Sequence, residues 1–315
     1  MKRELLQFLS CPECKGQFSL VEEESVSGEI NKGRLNCCGK SYEIYNFIPR
    51  FIDSDKYVGS FSFEWKTHSK TQLDSANINN KMSHQSRIDF QKRVNFHLSE
   101  LKDKLVLDVG CGMGRFSEIA VSEGANLIGV DLSFSVDVAI KNIGMRNNVN
   151  FVQADIFRLP FKEGIFDLVY SFGVLHHTPD CRGAFTSISK LVKPKGKLVI
   201  FVYSSYNKGI NYMSDFWRFF TTRLPKRLLY FLSLISVPLY YFYRIPLIGN
   251  IAKMFFVIPM WPDWRWRVLD TFDWYSPKYQ SKHTHWEVYR WFKDNSFSDI
   301  HIAEGEVTMM GTKNG

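Results

Sequence analysis

The sequence predicts an α/β protein built on a parallel sheet, with a small cysteine-rich module in front and a helical insertion near the end. Three observations carry this reading. Between 101 and 204, short β-branched apolar runs alternate with helical patterns, as βαβ units require. Four of the six Cys fall within residues 1–52. Residues 205–270 then hold 17 aromatics and nine Lys or Arg against three Asp or Glu, a composition found nowhere else in the chain.

The whole-chain composition is compatible with this. The chain has 315 residues, enough for two domains or one enlarged domain. An apolar fraction of 45% and a charged fraction of 23% exclude collagenous, low-complexity and wholly disordered classes. The net charge of +8 allows a basic patch but no histone-like tail. The start, MKRELLQFLSCPEC, does not read as a secretory leader, so the cytoplasm is the expected compartment. There, cysteines serve as metal ligands or buried thiols more often than as disulfides. No apolar run reaches the length of a transmembrane helix. The nearest, Leu228 to Tyr243, is uncharged but contains Ser233, Ser236 and Pro238.

The elements follow in order. Residues 1–52 read as a zinc-ribbon-like module. Cys11-Pro-Glu-Cys14 is a metal knuckle, and Cys37, Cys38 and Gly39 stand where its second half is expected. Neighbouring side chains on a strand diverge, so both Cys37 and Cys38 reach one ion only through a tight turn, which Gly39 allows. Residues 53–100 are a polar connector with some helix, in which Trp65 is a possible lid over the core's ligand. The core occupies 101–315, with a cap inserted at 205–282. Its first strand, from Leu105, runs into Gly110-Cys-Gly112-Met-Gly114, a turn through which backbone can approach a ligand closely. The second strand ends in Asp131, placed to accept both ribose hydroxyls. The third ends at Asp155-Ile156, where a carboxylate can accept from an adenine amino group or cap a helix. The fourth strand leads to His176-His177, and Leu191–Gly196 turns into a fifth at Lys197–Tyr203. A helix (Thr284–Asn295) and two strands, near 298–303 and 307–312, close the chain.

LDVGCGMGRF, GVDLS, VQADI, FDLVYSFGVLHH and LVKPKGKLVIFVY resemble, in order and spacing, the motifs of a class I S-adenosylmethionine-dependent methyltransferase. The resemblance implies a doubly wound seven-stranded sheet whose last strand is antiparallel. It implies that Gly110, Cys111 and Gly112 hold the methionine part, and that Asp108 orients that loop or the ammonium. Asp131 and Leu132 would bind ribose, Asp155 and Ile156 adenine, and Ser171 would complete the cofactor set. His176 and His177 lie where a general base for a hydroxyl acceptor is expected, although such a pair also serves simply to hold its loop. The module's start and close resemble zinc ribbons that precede some bacterial methyltransferases, which implies structural zinc on Cys11, Cys14, Cys37 and Cys38. A nicotinamide dehydrogenase, the other user of such a glycine turn, does not call for Asp108 before the turn.

The cap admits three readings: an acceptor pocket closed by helices, a surface in peripheral contact with a membrane, or a nucleic-acid face. Its apolar character ranks nucleic acid last. Within it, the Trp264–Arg267 group, Asp270 and Asp273 are the candidates to touch a polar acceptor. The expected reaction is O-methylation of a glycan, a lipid-linked glycan or another natural product. An RNA methyltransferase and a non-catalytic, cofactor-binding partner of another methyltransferase are the alternatives. Neither the acceptor atom nor the oligomeric state is legible.

Overall fold

A computed structural model describes residues 1–52, 59–144, 146–246 and 248–315. The opening of the connector, 53–58, lies outside them. The N-terminal module contributes β1 (Ser19–Val26), β2 (Glu29–Cys37), β3 (Lys40–Tyr45) and β4 (Ile48–Phe51), and the connector α1 (Gly59–Thr67) and α2 (Gln85–Arg93). The core then alternates β5 (Leu105–Val109), α3 (Arg115–Ser122), β6 (Asn126–Asp131), α4 (Val136–Ile143), β7 (Val149–Ala154), β8 (Phe166–Phe172), α5 (Cys181–Ser189) and β9 (Val192–Val202). The cap is helical: α6 (Lys208–Thr221), α7 (Lys226–Ser233), α8 (Ser236–Phe242), α9 (Ile248–Phe255) and α10 (Trp264–Tyr275). The chain ends with α11 (His285–Asp294), β10 (Phe297–Ile302) and β11 (Val307–Lys313).

The strands form one sheet in the order β1-β2-β3-β4-β7-β6-β5-β8-β9-β11-β10. The seven from β7 to β10 are the expected sheet, parallel except that β11 runs antiparallel between β9 and β10. The sheet continues beyond the seven to eleven strands, because β4 pairs in parallel with β7 (Arg50 opposite Gln153, Phe51 opposite Ala154) and carries the module's strands onto the core's edge. The module therefore does not stand apart. Leu5, Leu9, Ile30, Leu35 and Ile44 share a buried cluster with core residues from β5, β6 and β9.

Local chemistry explains the seam. Arg50, charged and otherwise out of place on an inner strand, donates from Nη2 to Asp137 at 2.8 Å and from Nη1 to Gln153 at 2.6 Å. Phe51 packs its ring against Phe18 and Tyr42, with centroids 5.5 and 4.9 Å away. Elsewhere the expected elements shift by a residue or two. The Leu191–Gly196 turn is instead the bulged start of β9, where Lys195 takes a φ of +63°. The apolar run Leu228–Tyr243 is not one helix: it breaks at Leu234–Ile235 into α7 and α8.

The seam yields a prediction. Phe51→Ala removes a buried ring from the junction of module and core and lowers the unfolding free energy by about 3 kcal/mol. Denaturant titration checks this, and a loss below about 1 kcal/mol would show that the module is only loosely attached.

Candidate active site

The ends of β5, β6 and β8 open into a cavity of about 960 Å³ that extends beneath the cap. At its base lies the glycine turn. The amides of Gly110 and Cys111 both donate to the Val130 carbonyl, at 2.7 and 3.1 Å. The amide of Gly112 donates to Asp131 Oδ2 at 3.0 Å. Gly110 has a φ of +76°, and a Cβ there would stand 2.3 Å from Val174 Cγ2. Only glycine lets β5 turn this close to the loop after β8. A Cβ on Gly112 would sit 3.2 Å from the Trp65 indole. The aromatic flagged in the connector thus lies directly over the turn.

The structure divides the expected cofactor residues. Gly110, Cys111, Gly112, Asp131, Leu132 and Ile156 line the cavity. Asp108, Asp155 and Ser171 are not among the lining residues, and each has a different task. Asp108 is buried behind the turn, where Oδ2 accepts from Ser117 Oγ at 2.6 Å and ties β5 to α3. Burial pushes its carboxyl up to about 7. Of its two expected roles, the geometry fits anchoring of the loop. Asp155 accepts from the Phe157 amide at 3.0 Å and caps the turn after β7. Ser171 donates to the Val109 carbonyl at 3.0 Å and staples β8 to β5. Asp131 combines both kinds of contact: it faces the cavity, and its Oδ1 accepts from the Ser133 amide and hydroxyl at 2.8 and 2.7 Å. Burial raises its carboxyl, and those hydrogen bonds pull the other way. The Cys111 thiol is buried and pushed up by that burial, so it suits a turn residue rather than a nucleophile.

The histidine pair separates in the same way. His176 is fully buried, with its ring stacked 3.9 Å from Tyr203 and neither ring nitrogen bonded. Desolvation holds it well below the usual histidine range. A catalytic role for His176 is corrected on that ground: it is a core ring under the cavity floor. His177 does line the cavity. Its Nδ1 lies 2.9 Å from the Tyr279 carbonyl, so Nδ1 is the protonated nitrogen. Burial pushes it down to about 3, which makes it a weak proton acceptor.

Of the acidic residues lining the cavity, Asp270 and Asp273 were candidates from the sequence and Glu64 was not. Under the cap, Glu64 of α1 and Asp270 and Asp273 of α10 face one region of the cavity, among Trp65, Trp261 and Trp274. Asp270 accepts from Gln72 Nε2 at 2.9 Å and from Trp261 Nε1 at 2.6 Å. Tyr203, at the end of β9, reaches Asp273 Oδ2 at 3.5 Å. Two oxygens, Glu64 Oε2 and Asp273 Oδ1, are buried with no hydrogen-bond partner. Burial comes first in raising all three carboxyls: Asp270 to about 6, Asp273 to about 7, and Glu64 well above the carboxylate range. The position of Tyr203 at the carboxyl end of a parallel strand was a usable signal, since ligands of open α/β sheets bind there. Glu64 gave none, because only the fold brings α1 over the sheet. The Trp264–Arg267 group, expected to face an acceptor, does not. Arg267 and Trp266 are buried, with Arg267 donating to the Trp261 carbonyl at 2.5 Å, and Arg265 pairs with its own helix cap, Asp263, at 2.8 Å.

A second site lies far along the sheet. The Sγ atoms of Cys11, Cys14, Cys37 and Cys38 all fall within 4.8 Å of one another, with Cys11–Cys38 at 3.5 Å and Cys14–Cys37 at 3.4 Å. A tetrahedral zinc with thiolate bonds near ~2.3 Å spaces its sulfurs at about 3.8 Å, so the donor set fits the ion. The adjacent pair converges because Cys38 itself takes a φ of +43°, with Gly39 following at +77°. Four protein ligands leave no open position, which makes such a site structural. Purified protein is expected to hold about one zinc ion per chain, and Cys11→Ser with Cys14→Ser to abolish it. Metal analysis decides: a folded wild-type chain without zinc contradicts the assignment.

Comparison with known proteins agrees with this geometry. The family model described as "Methyltransferase domain" matches residues 107–200. Sterol 24-C-methyltransferase of Pneumocystis carinii is 29% identical over 167 residues, covering 51% of this chain and 40% of that protein. Ubiquinone biosynthesis O-methyltransferase of Coxiella burnetii is 38% identical over 111 residues, covering 35% and 46%. The chain thus spans less than half the length of these relatives. Magnesium protoporphyrin IX methyltransferase from Synechocystis, solved with bound SAH, is 15% identical over 80% of this chain and 86% of that one, with a TM-score of 0.42. The match over 107–200 makes the central part of this chain a methyltransferase domain, and its strand order and glycine turn are similar to those of class I S-adenosylmethionine-dependent methyltransferases.

Proposed function

We propose that the protein transfers the methyl group of S-adenosylmethionine to a hydroxyl of a glycan, a lipid-linked glycan or a related natural product. The observation that carries this reading is the acceptor end of the cavity: unpartnered carboxylate oxygens on Glu64 and Asp273, set among indole rings. An unsatisfied buried acceptor costs roughly 1–3 kcal/mol. A polyhydroxyl ligand removes that cost by donating to both oxygens, and its flat apolar faces suit the indoles. Carboxylates that keep a proton near neutrality can both donate to and accept from hydroxyls.

Gly110, Gly112 and Asp131 would hold the cofactor's amino-acid and ribose parts, with Leu132 and Ile156 against its base. When bound, the cofactor supplies a methyl group already activated on a sulfonium. The chain's own residues have two remaining tasks. One is placement of the acceptor oxygen, which alone contributes several kcal/mol. The other is the proton. The hydroxyl that receives the methyl group would give up its proton to Asp273 Oδ1, which would pass it on to solvent. Burial holds the Asp273 carboxyl at about 7, close to the working pH a base needs.

Two outcomes are expected. Asp131→Ala abolishes the thermal stabilisation that S-adenosylhomocysteine gives the wild type, about 3 kcal/mol at a hundredfold excess over Kd. Unchanged stabilisation would remove Asp131 from the ribose site. Asp273→Asn keeps that stabilisation but lowers labelled-methyl incorporation into a cell extract by about 100-fold or more. The base acts only when ionised. The wild-type rate should therefore rise as pH passes about 7, and this rise should vanish in the variant. A pH profile common to both proteins would exclude Asp273 as the base.

A further inference from the structure

The cap's helices are inverted with respect to an ordinary soluble protein. On α6, Tyr212, Phe216, Phe219 and Phe220 point outward, with Phe219 60% exposed, while Ser214 and Arg218 are buried. On α7 and into the break that follows, Leu228, Phe231, Leu232 and Ile235 form an exposed stripe, with Phe231 at 67%. Their spacing of three and four residues puts them on one helix face. The buried face of the same segment carries Ser233 and Ser236, whose hydroxyls bond back to the Leu229 and Ser233 carbonyls at 2.9 and 2.7 Å. Most of the exposed large apolar side chains among the described residues lie between 206 and 264. A water-facing surface would reverse this arrangement, and contiguous apolar patches of this kind mark docking sites.

Charge identifies the occupant. Between Asp215 and Asp263 the chain has six Lys or Arg and no Asp or Glu. Arg223, Arg227 and Arg244 are exposed among the apolar residues. Arg223 lies over the Phe219 ring at 4.1 Å and donates to the Phe219 carbonyl, and Arg244 lies over Tyr240 at 5.6 Å, so exposed guanidinium groups sit directly among apolar rings. Aromatic and aliphatic side chains interspersed with arginine match an anionic lipid interface. No helix among the described residues is long and apolar enough to cross a membrane.

We infer that the outer face of α6 and α7 docks on the surface of an anionic lipid bilayer. The same helix serves both sides: Ile210 and Asn211 line the cavity, whereas Tyr212 and Phe216 face outward. Docking therefore brings the cavity's cap end to the membrane and favours the lipid-linked form of the acceptor. That consequence rests on the methyl-transfer reading; the docking itself does not.

The test is flotation of the full chain with vesicles, without cofactor or acceptor. The protein should float with phosphatidylcholine vesicles containing about one third phosphatidylglycerol, but not with phosphatidylcholine alone. Binding should weaken as salt is raised. Phe219→Ser with Phe231→Ser should reduce the bound fraction about tenfold or more. The S-adenosylhomocysteine-induced thermal shift should persist in that variant, which shows that it is folded. Trp286→Ser, at an exposed aromatic outside the cap, should float like the wild type. Absence of flotation with either vesicle, or flotation indifferent to the double variant, overturns the proposal. So does a dimer in light scattering that the double variant splits, because the face would then belong to a second copy of the chain.

Discussion

The functional half of this molecule depends on how one carbonyl is shared. The amides of Gly110 and Cys111 both point at Val130 O, and the next amide, of Gly112, is taken by Asp131. These three hydrogen bonds fix the path of the chain as it leaves β5, and they do so from the end of β6. The turn can follow that path only because Gly110 has no Cβ to strike Val174. Asp108 secures the same turn from behind through Ser117, so that strand, turn and helix move as one unit. The backbone is thus brought to the cavity wall, and a single carboxylate, Asp131, both braces the turn and faces the ligand.

From this arrangement the rest acquires its position. The sheet supplies a rigid floor, and every element that closes the cavity comes from outside the seven core strands. Helix α1 brings Trp65 and Glu64 over the glycine turn, and α10 brings Asp270 and Asp273 from the cap. These carboxyls are raised chiefly because little water reaches them; the charge of Asp270 adds to this at Asp273, and the charges of both add to it at Glu64. Such raised groups are costly to a fold that does not use them, and their convergence on the cavity makes them the most informative part of the site. Asp131 braces the glycine-turn end of the cavity, and the carboxyls under the cap line its other end.

The sequence was most legible where local rules govern. Short β-branched apolar runs placed β5 to β8 within a residue or two, and the helix expected over Thr284–Asn295 is α11, with Thr284 its cap. The glycine turn and Asp131 were readable because their chemistry demands particular residues at particular spacings. What could not be read depends on contacts between distant segments. The strand Ile48–Phe51 looked like the close of a ribbon, and its pairing with β7 emerges only when Arg50 meets Asp137 and Gln153. His176 looked catalytic because it follows the fourth strand, yet Tyr203 covers it. Asp155 offered two roles from sequence, and one of its oxygens is taken by the cap hydrogen bond to Phe157. The Trp264–Arg267 group looked acceptor-facing, but Trp266 and Arg267 are buried in the cap.

The central claim concerns which class of molecule receives the methyl group in the acid-lined end of the cavity. The most direct measurement is label transfer from methyl-labelled S-adenosylmethionine into a whole-cell extract, followed by separation of lipid, soluble glycan, protein and nucleic-acid fractions. Label in the lipid or soluble glycan fraction that resists alkali, as a methyl ether on a hydroxyl does and a methyl ester does not, is the predicted result. Label confined to RNA or protein, or no transfer by a chain that binds the cofactor, would contradict the account.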